Sequence, residues 1–323
     1  MIKEKSSVPE IWTHKLTKIY GRGETSVKAV NNIDIAMEPG VHGFLGPNGA
    51  GKTSTINMLI GAISITDGEA KIRGEGAGSL RARRIIGFLP QDPAFYDNMS
   101  GEQYLNYVGE LSGLRRYKAK KKTLELLEKL ELLGARERRI EKYSEGMKQR
   151  IGIAAALIHE PEILILDEPT SNLDPIGRKN IINDIKALSS EVSVFVSSHI
   201  LSEIEQMCKN VTMINRGKII LTDTIKNIKK MHSIKGGRVI IILDTSSNEK
   251  IIQQLKEKDF INNIWIDEND SKIHILPKDI EMLQKVIPKM IIENDVILRE
   301  FHQPETSLQD IFIEIMEEEV NNE

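Results

Sequence analysis

Eight residues, Gly46-Pro-Asn-Gly-Ala-Gly-Lys-Thr53, constrain this chain more than any other stretch. They follow a short apolar run, Val41–Leu45, and lead into residues 53 to about 60, which read as a helix. The pattern G-x-x-x-x-G-K-[ST] sets glycines where backbone N–H groups must approach phosphate. It adds a lysine, Lys52, for the β and γ oxygens and a hydroxyl, Thr53, that can hold Mg²⁺. A helix start directly after the loop contributes a favourable dipole for the same anion.

Strands and helices alternate up to about residue 225. Further strands are read at 85–89, 163–166 and 192–196; the second is bulky and apolar throughout, as expected of a parallel strand covered on both faces, and the third reads as a further buried strand. The alternation predicts a parallel α/β sheet. Asp67-Gly68 is read as a hairpin turn between short strands. Between about 100 and 134 the spacing of Tyr104, Tyr107, Val108, Leu111 and Leu114, and then of Leu124, Leu127, Leu130 and Leu133, predicts two amphipathic helices, with Gly134 as C-cap. The basic run from Lys118 to Lys122 reads as a solvated helix start. Ser144 is a good N-cap for a helix ending before Pro161.

Residues 233–238, Ser-Ile-Lys-Gly-Gly-Arg, read as a linker. Beyond it the pattern βαββαβα predicts a small, loosely ferredoxin-like α+β domain. Its second helix, about 278–289, contains or ends at Pro288, and a last helix starts at a capping box, Thr306-Ser-Leu-Gln309.

Composition narrows the function classes. The 323 residues are 40% hydrophobic and 28% charged, ordinary for a globular protein, and the net charge of −3 argues against a dedicated nucleic-acid binder. A single cysteine, Cys208, excludes an internal disulfide and suits a reducing compartment. No stretch approaches the roughly 18 apolar residues of a membrane span, and the first residues lack the apolar core of a signal peptide. The expectation is a cytoplasmic chain that, if it serves a membrane process, docks on a separate membrane protein at the cytoplasmic face.

Two further motifs complete the picture. Tyr143-Ser-Glu-Gly-Met-Lys-Gln149 is a short helix start, and Ile163-Leu-Ile-Leu-Asp-Glu168 is an apolar strand closed by two carboxylates. Together with the phosphate loop, their order resembles the ATP-binding cassette (ABC) ATPases. The resemblance is specific from about 13 to 220. It implies a P-loop NTPase fold of the ABC type, with a mixed sheet and a helical subdomain at about 92–160. The cassette would span 1–232 and the accessory domain 238–323.

The resemblance also implies roles. ATP and Mg²⁺ would be bound by Gly46, Pro47, Asn48, Gly49, Ala50, Gly51, Lys52, Thr53 and Ser54, with Tyr20 stacking on adenine. Asp167, Thr53 and Gln91 would serve the metal, and Glu168 would be the general base. His199, after the strand at 192–196, would bond the γ-phosphate, and Lys52 and Gln91 would assist catalysis. Ser144 and Gly146 would act in trans on the nucleotide of a second ATPase subunit, and Asp174, in Ser171-Asn-Leu-Asp174, would couple the two sites. The commoner signature is Leu-Ser-Gly-Gly-Gln. Glu145 replaces a glycine here, and its carboxylate is compatible with a nearby phosphate only if it points away.

Tyr-Ser-x-Gly-Met-Lys-Gln, Thr170-Ser-Asn-Leu-Asp-Pro175 and Ser307-Leu-Gln-Asp-Ile-Phe312 look like the drug-, antibiotic- and sodium-export branch, whose members pair a free ATPase with a separate permease. Phe95, Tyr96, Tyr104 and Tyr107 lie in the segment that grips the permease in this family, where filling core is the other reading. The competing function is a soluble ATPase of the same family acting on a non-membrane partner.

Overall fold

The computed structural model describes residues 8–234, 239–244, 248–266, 272–302, 308, 311 and 312. Contacts divide the chain into two units, 1–224 and 225–323.

The first unit carries two sheets. β1 (Ile11–Tyr20) pairs antiparallel with β2 (Val27–Met37). The apolar run β3 (Val41–Leu45) leads through the phosphate loop into α1 (Lys52–Leu59). Next come β4 (Asp67–Ile72), β5 (Glu75–Gly76), α2 (Leu80–Ile85) and β6 (Ile86–Leu89). Three helices follow: α3 (Gly101–Leu111), α4 (Arg116–Lys129) and α5 (Glu145–Leu157). The unit closes with β7 (Ile163–Asp167), α6 (Pro175–Leu188), β8 (Ser193–Ser198), α7 (Leu201–Met207), β9 (Asn210–Asn215) and β10 (Lys218–Thr224).

One sheet has the order β2-β1-β4-β5 and is antiparallel. The other has the order β10-β9-β3-β8-β7-β6, parallel except for the edge strand β10. β3, β7 and β8 are buried at every residue, the apolar majority filling the core while His42, Asp167, Ser197 and Ser198 find hydrogen-bond partners. One core joins both sheets with α1. It includes Phe44 and Phe195, whose rings lie 5.3 Å apart, together with Ile56 and Leu59 of α1. Burying one such side chain contributes about 1.5–3 kcal/mol.

Register decides where the chemistry lies. Asp167 of β7 is level with Ser197 of β8, and Leu45 of β3 is level with Ser198. Three loops, the phosphate loop and those starting at Glu168 and His199, therefore leave the sheet side by side at its carboxyl edge, where open α/β sheets present their ligands.

In the second unit, α8 (Ile225–Ile234) is followed by β11 (Val239–Asp244), α9 (Asn248–Lys256), β12 (Ile261–Ile266), β13 (Ile273–Pro277), α10 (Ile280–Glu293) and β14 (Ile297–His302). The antiparallel order β12-β13-β11-β14 is the ferredoxin-like arrangement, with a core of its own around Ile241, Leu255, Ile275 and Ile287.

Several expectations are corrected. Asp67-Gly68 is not a hairpin turn; it opens β4, and Asp67 pairs with Thr17 of β1 beside a bulge. Gly68 is needed there because, at φ +80°, a Cβ would strike the backbone oxygen of Lys15. Gly134 does not cap α4. The helix ends five residues earlier, with Glu131 in the left-handed position (φ +57°) and the N–H of Leu132 donating to the oxygen of Leu127 at 2.7 Å. Leu133 is consequently exposed and leaves the apolar face. Ser233 and Ile234 belong to α8, not to a linker, while 235–238 lie outside the described residues. Pro288 lies inside α10, which runs on to Glu293. The capping box at 306–309 falls outside the described residues except for Leu308.

His42 on β3 gives the fold a pH signature. It is 2% exposed, its Nε2 is 2.8 Å from the Thr212 hydroxyl, and burial depresses its pKa from 6.5 to about 4. Between those values the unfolded chain takes up a proton that the native chain refuses, so stability falls as pH drops through this window. The full loss is about 3 kcal/mol. Urea unfolding between pH 7 and 4 should show it, and His42→Asn should flatten the slope relative to the parent.

Candidate functional site

The phosphate loop starts where β3 ends, and the N–H of Gly46 donates to the oxygen of Ser198 at 3.3 Å. Gly51 has φ +107°, and a Cβ there would lie 2.5 Å from the oxygen of Ala29, so the loop is closely backed by the antiparallel sheet. Around Gly49 (φ +79°) a Cβ would meet nothing within 4 Å, which leaves the outer side of the loop open. Pro47, Asn48 and Ala50 complete the turn, with the N–H of Ala50 donating to the oxygen of Pro47 at 3.2 Å.

Lys52 is buried and folds back into its own loop. Its Nζ donates to the oxygens of Gly46 (2.8 Å) and Pro47 (3.1 Å) and pairs with Glu168 Oε1 at 3.1 Å. The other oxygen of Glu168 accepts from His199 Nδ1 at 2.6 Å. Glu168 therefore bridges a buried ammonium and a half-exposed imidazole. Its backbone is left-handed, φ +48°, a conformation that costs about 1–3 kcal/mol in a non-glycine residue and persists only where its surroundings enforce it.

Ser197 is one of those enforcing contacts. Its hydroxyl accepts from the N–H of Glu168 at 2.9 Å and donates to Asp167 Oδ1 at 2.6 Å. Asp167 is also hydrogen-bonded to Thr53, yet burial still raises its pKa above the usual aspartate range. A buried carboxylate beside a hydroxyl, both hard oxygen donors, fits a Mg²⁺ site. Among the described residues no cluster of three or more His, Cys, Asp or Glu could hold a metal by itself. The remaining ligands would thus come from phosphate and water, as this ion prefers.

Tyr20 is 42% exposed at the end of β1, its hydroxyl 3.2 Å from that of Ser54 at the start of α1. Lys18 Nζ lies 5.2 Å from its ring centre. The other expected residues stand apart from the Lys52–Glu168–His199 group. Gln91 is exposed and lines a cleft of about 430 Å³ with Phe95, Glu145, Lys148 and residues 171–173. Ser144, Gly146 and Asp174 line a second cleft of about 460 Å³ that contains no residue of the phosphate loop.

Ser144 caps α5 by accepting from the N–H of Met147 at 3.3 Å, and Asp174 caps α6 by accepting from Gly177 at 2.7 Å. Glu145 is neutralised within its own helix by Lys148 at 2.9 Å. Arg150, which the sequence reading passed over, ties α5 to Asp184 of α6 and to Glu131 after α4, both at 2.8 Å. Of the four aromatics, Phe95 packs edge-on against Tyr104 and Tyr96 against Tyr107; the second pair is exposed.

With this geometry in hand, comparison with known proteins is decisive. The ABC transporter family profile matches residues 30–171. An uncharacterised ABC transporter ATP-binding protein of Bacillus subtilis, YxlF, is 36% identical over 90% of this chain and 95% of its own length. The bacitracin transport ATP-binding protein BcrA of Bacillus licheniformis is 35% identical over 95% of this chain and 97% of its own. The linearmycin resistance protein LnrL of B. subtilis is 33% identical over 93% and 96%. The dimeric MJ0796 cassette bound to ADP and phosphate shares the fold, with a TM-score of 0.60 at 23% identity over 67% of this chain and 98% of that one. The chain belongs to the ATP-binding subunits of ABC transporters and is an ATP-hydrolysing enzyme. No helix among the described residues is long and apolar enough to cross a membrane.

Removing the Ser197 hydroxyl would leave the buried N–H of Glu168 without an acceptor. Ser197→Ala should therefore lower stability by about 1–3 kcal/mol in denaturant unfolding.

Proposed function

We propose that this chain energises a separate integral-membrane permease, working as one of two ATPase subunits that clasp ATP between them. The observation that carries the reading is the Lys52–Glu168–His199 group beside the Asp167–Thr53 pair, all at one sheet edge.

Each residue has a task that its position supports. Lys52, released from the carbonyl oxygens of its loop, meets the β and γ phosphate oxygens of the substrate. Glu168 gives up that lysine and becomes a free carboxylate, oriented by His199 and able to take the proton of an attacking water. His199 turns toward the γ-phosphate. Asp167 and Thr53 would hold Mg²⁺, which when bound supplies charge neutralisation at the phosphates. Tyr20 offers an exposed ring face for the base.

A second subunit is needed because Ser144 and Gly146 open onto a different cleft from their own phosphate loop. Their helix start, with Glu145 neutralised by Lys148, is free to face a γ-phosphate held by the partner. Asp174 and Gln91 flank that seam, Asp174 fixing the start of α6 and Gln91 facing the cleft that also contains residues 171–173. Contacts that exist only with the γ-phosphate present favour the clasped pair, and hydrolysis releases it.

Peripheral attachment at the cytoplasmic face follows from docking on the permease, for which the exposed Tyr96 and Tyr107 next to the Gln91 cleft supply apolar surface. The bacitracin and linearmycin relatives support the export branch, so the cargo class we assign is a drug or antibiotic. The second unit, which brings no catalytic cluster among its described residues, regulates or stabilises the pair.

Glu168→Gln should retain ATP binding while turnover falls by roughly 100-fold or more. With ATP it should accumulate as a dimer in sedimentation velocity. Unchanged turnover would remove Glu168 from the role of base.

A further inference from the structure

We infer that Glu203 is a positioning residue that ties the loop carrying the base to the loop carrying the switch histidine, so that displacement of one is felt at the other. Glu203 lies on α7 and is 3% exposed. Its Oε2 accepts from the Thr170 hydroxyl at 2.5 Å and from the Ser198 hydroxyl at 3.1 Å.

The two donors come from different loops. Thr170 is two residues past Glu168 and directly precedes the segment 171–174 that lines both clefts. Ser198 precedes His199. One carboxylate oxygen thus joins the root of the 171–174 segment to the root of the histidine, behind the Glu168–His199 bond and independently of it.

Chemistry makes this link strong. Hydroxyl-to-carboxylate hydrogen bonds are short and roughly twice as strong as neutral ones, and burial removes water as a competing partner. The strut is also directional. Ser198 accepts the N–H of Ile200 at 2.9 Å, and for its own proton Glu203 Oε2 at 3.1 Å is a closer, charged acceptor than the oxygen of Ile200 at 3.5 Å. Thr170 is itself 2% exposed and has no route to solvent as an alternative.

The second oxygen, Oε1, is buried and accepts nothing among the described residues. Both loops therefore load the same atom. A residue serving only to fill space on α7 would need neither a carboxylate nor this convergence.

The inference rests on the roles proposed above for Glu168 and His199, so its test includes a readout that does not depend on turnover. Paired with a carboxylate, His199 Nδ1 is the donor, and its proton should give a downfield NMR resonance, identified by its loss in His199→Gln. Glu203→Ala should broaden or shift that resonance in the nucleotide-free chain.

In turnover, Thr170→Val and Ser198→Ala should each lower kcat by about tenfold, the cost of one hydrogen bond to a charged group. KM for ATP should stay within about twofold. In the Glu203→Ala background Thr170→Val should cost nothing further, and Ser198→Ala should cost less than in the parent, only its bond to the N–H of Ile200 remaining to be lost. Glu203→Gln, which keeps the shape and an acceptor oxygen, should restore most of the lost rate and serves if the alanine variant does not fold. An unaltered His199 resonance in folded Glu203→Ala, or full additivity of the Thr170 and Ser198 effects without Glu203, would overturn the inference. Loss of the resonance together with wild-type turnover in Glu168→Gln would retain the strut and reject the assigned base.

Discussion

A carboxylate buried between a lysine and a histidine organises this protein. Glu168 is held on one oxygen by Lys52 and on the other by His199, with its backbone in a left-handed conformation at the end of a fully buried strand. Removing two charges from water is expensive, and their attraction offsets that cost only when geometry and hydrogen bonding are complete. Here they are complete only because Gly46 and Pro47 accept from Lys52, and Ser197 accepts from Glu168. Gly46 and Pro47 belong to the phosphate loop, and Ser197 lies on β8 beside the end of β7. In the mechanism proposed above, nucleotide takes Lys52 from Gly46, Pro47 and Glu168, so binding and rearrangement are one event.

Topology supplies the precision. β3 and β7 are not neighbours; both flank β8, and the register of β8 sets the level of all three loops. Phe195 of β8 packs at a tilt against Phe44 of β3 in the core, so a shift of β8 would disturb packing as well as chemistry. Ser144 and Gly146 lie at the start of α5, which is fastened to α6 by Arg150 through Asp184. That clamp links α5 to the helix capped by Asp174, and so joins two elements that line the second cleft.

Much of this was legible in the residues. The phosphate loop declares itself because its glycines and lysine must be contiguous, and the Asp167-Glu168 pair because it closes an unbroken apolar strand. Ser144 is a local signal, a cap read from its own helix. Ser197, Glu203 and Arg150 were not legible, since their significance arises only when separate strands and helices are brought level. The antiparallel first sheet escaped for a related reason: β1 is interrupted by bulges, so its alternation of buried and exposed residues breaks at His14-Lys15. Asp67-Gly68 has the composition of a turn, but the chain uses its glycine for a close backbone approach. Gly134 was outcompeted by Glu131, whose left-handed backbone ends α4 where the buried Leu130 and Leu132 need to turn inward.

The central claim is that Lys52 exchanges Glu168 for phosphate. The most direct measurement is one distance, Lys52 Nζ to Glu168 Oε1, in a crystal structure of the chain with Mg²⁺ and a non-hydrolysable ATP analogue. It is 3.1 Å here. With nucleotide bound it should open beyond ion-pair range, with Lys52 on the phosphates and Ser144 of a second copy facing the γ-phosphate. A lysine still paired with Glu168 while the nucleotide is bound would contradict it.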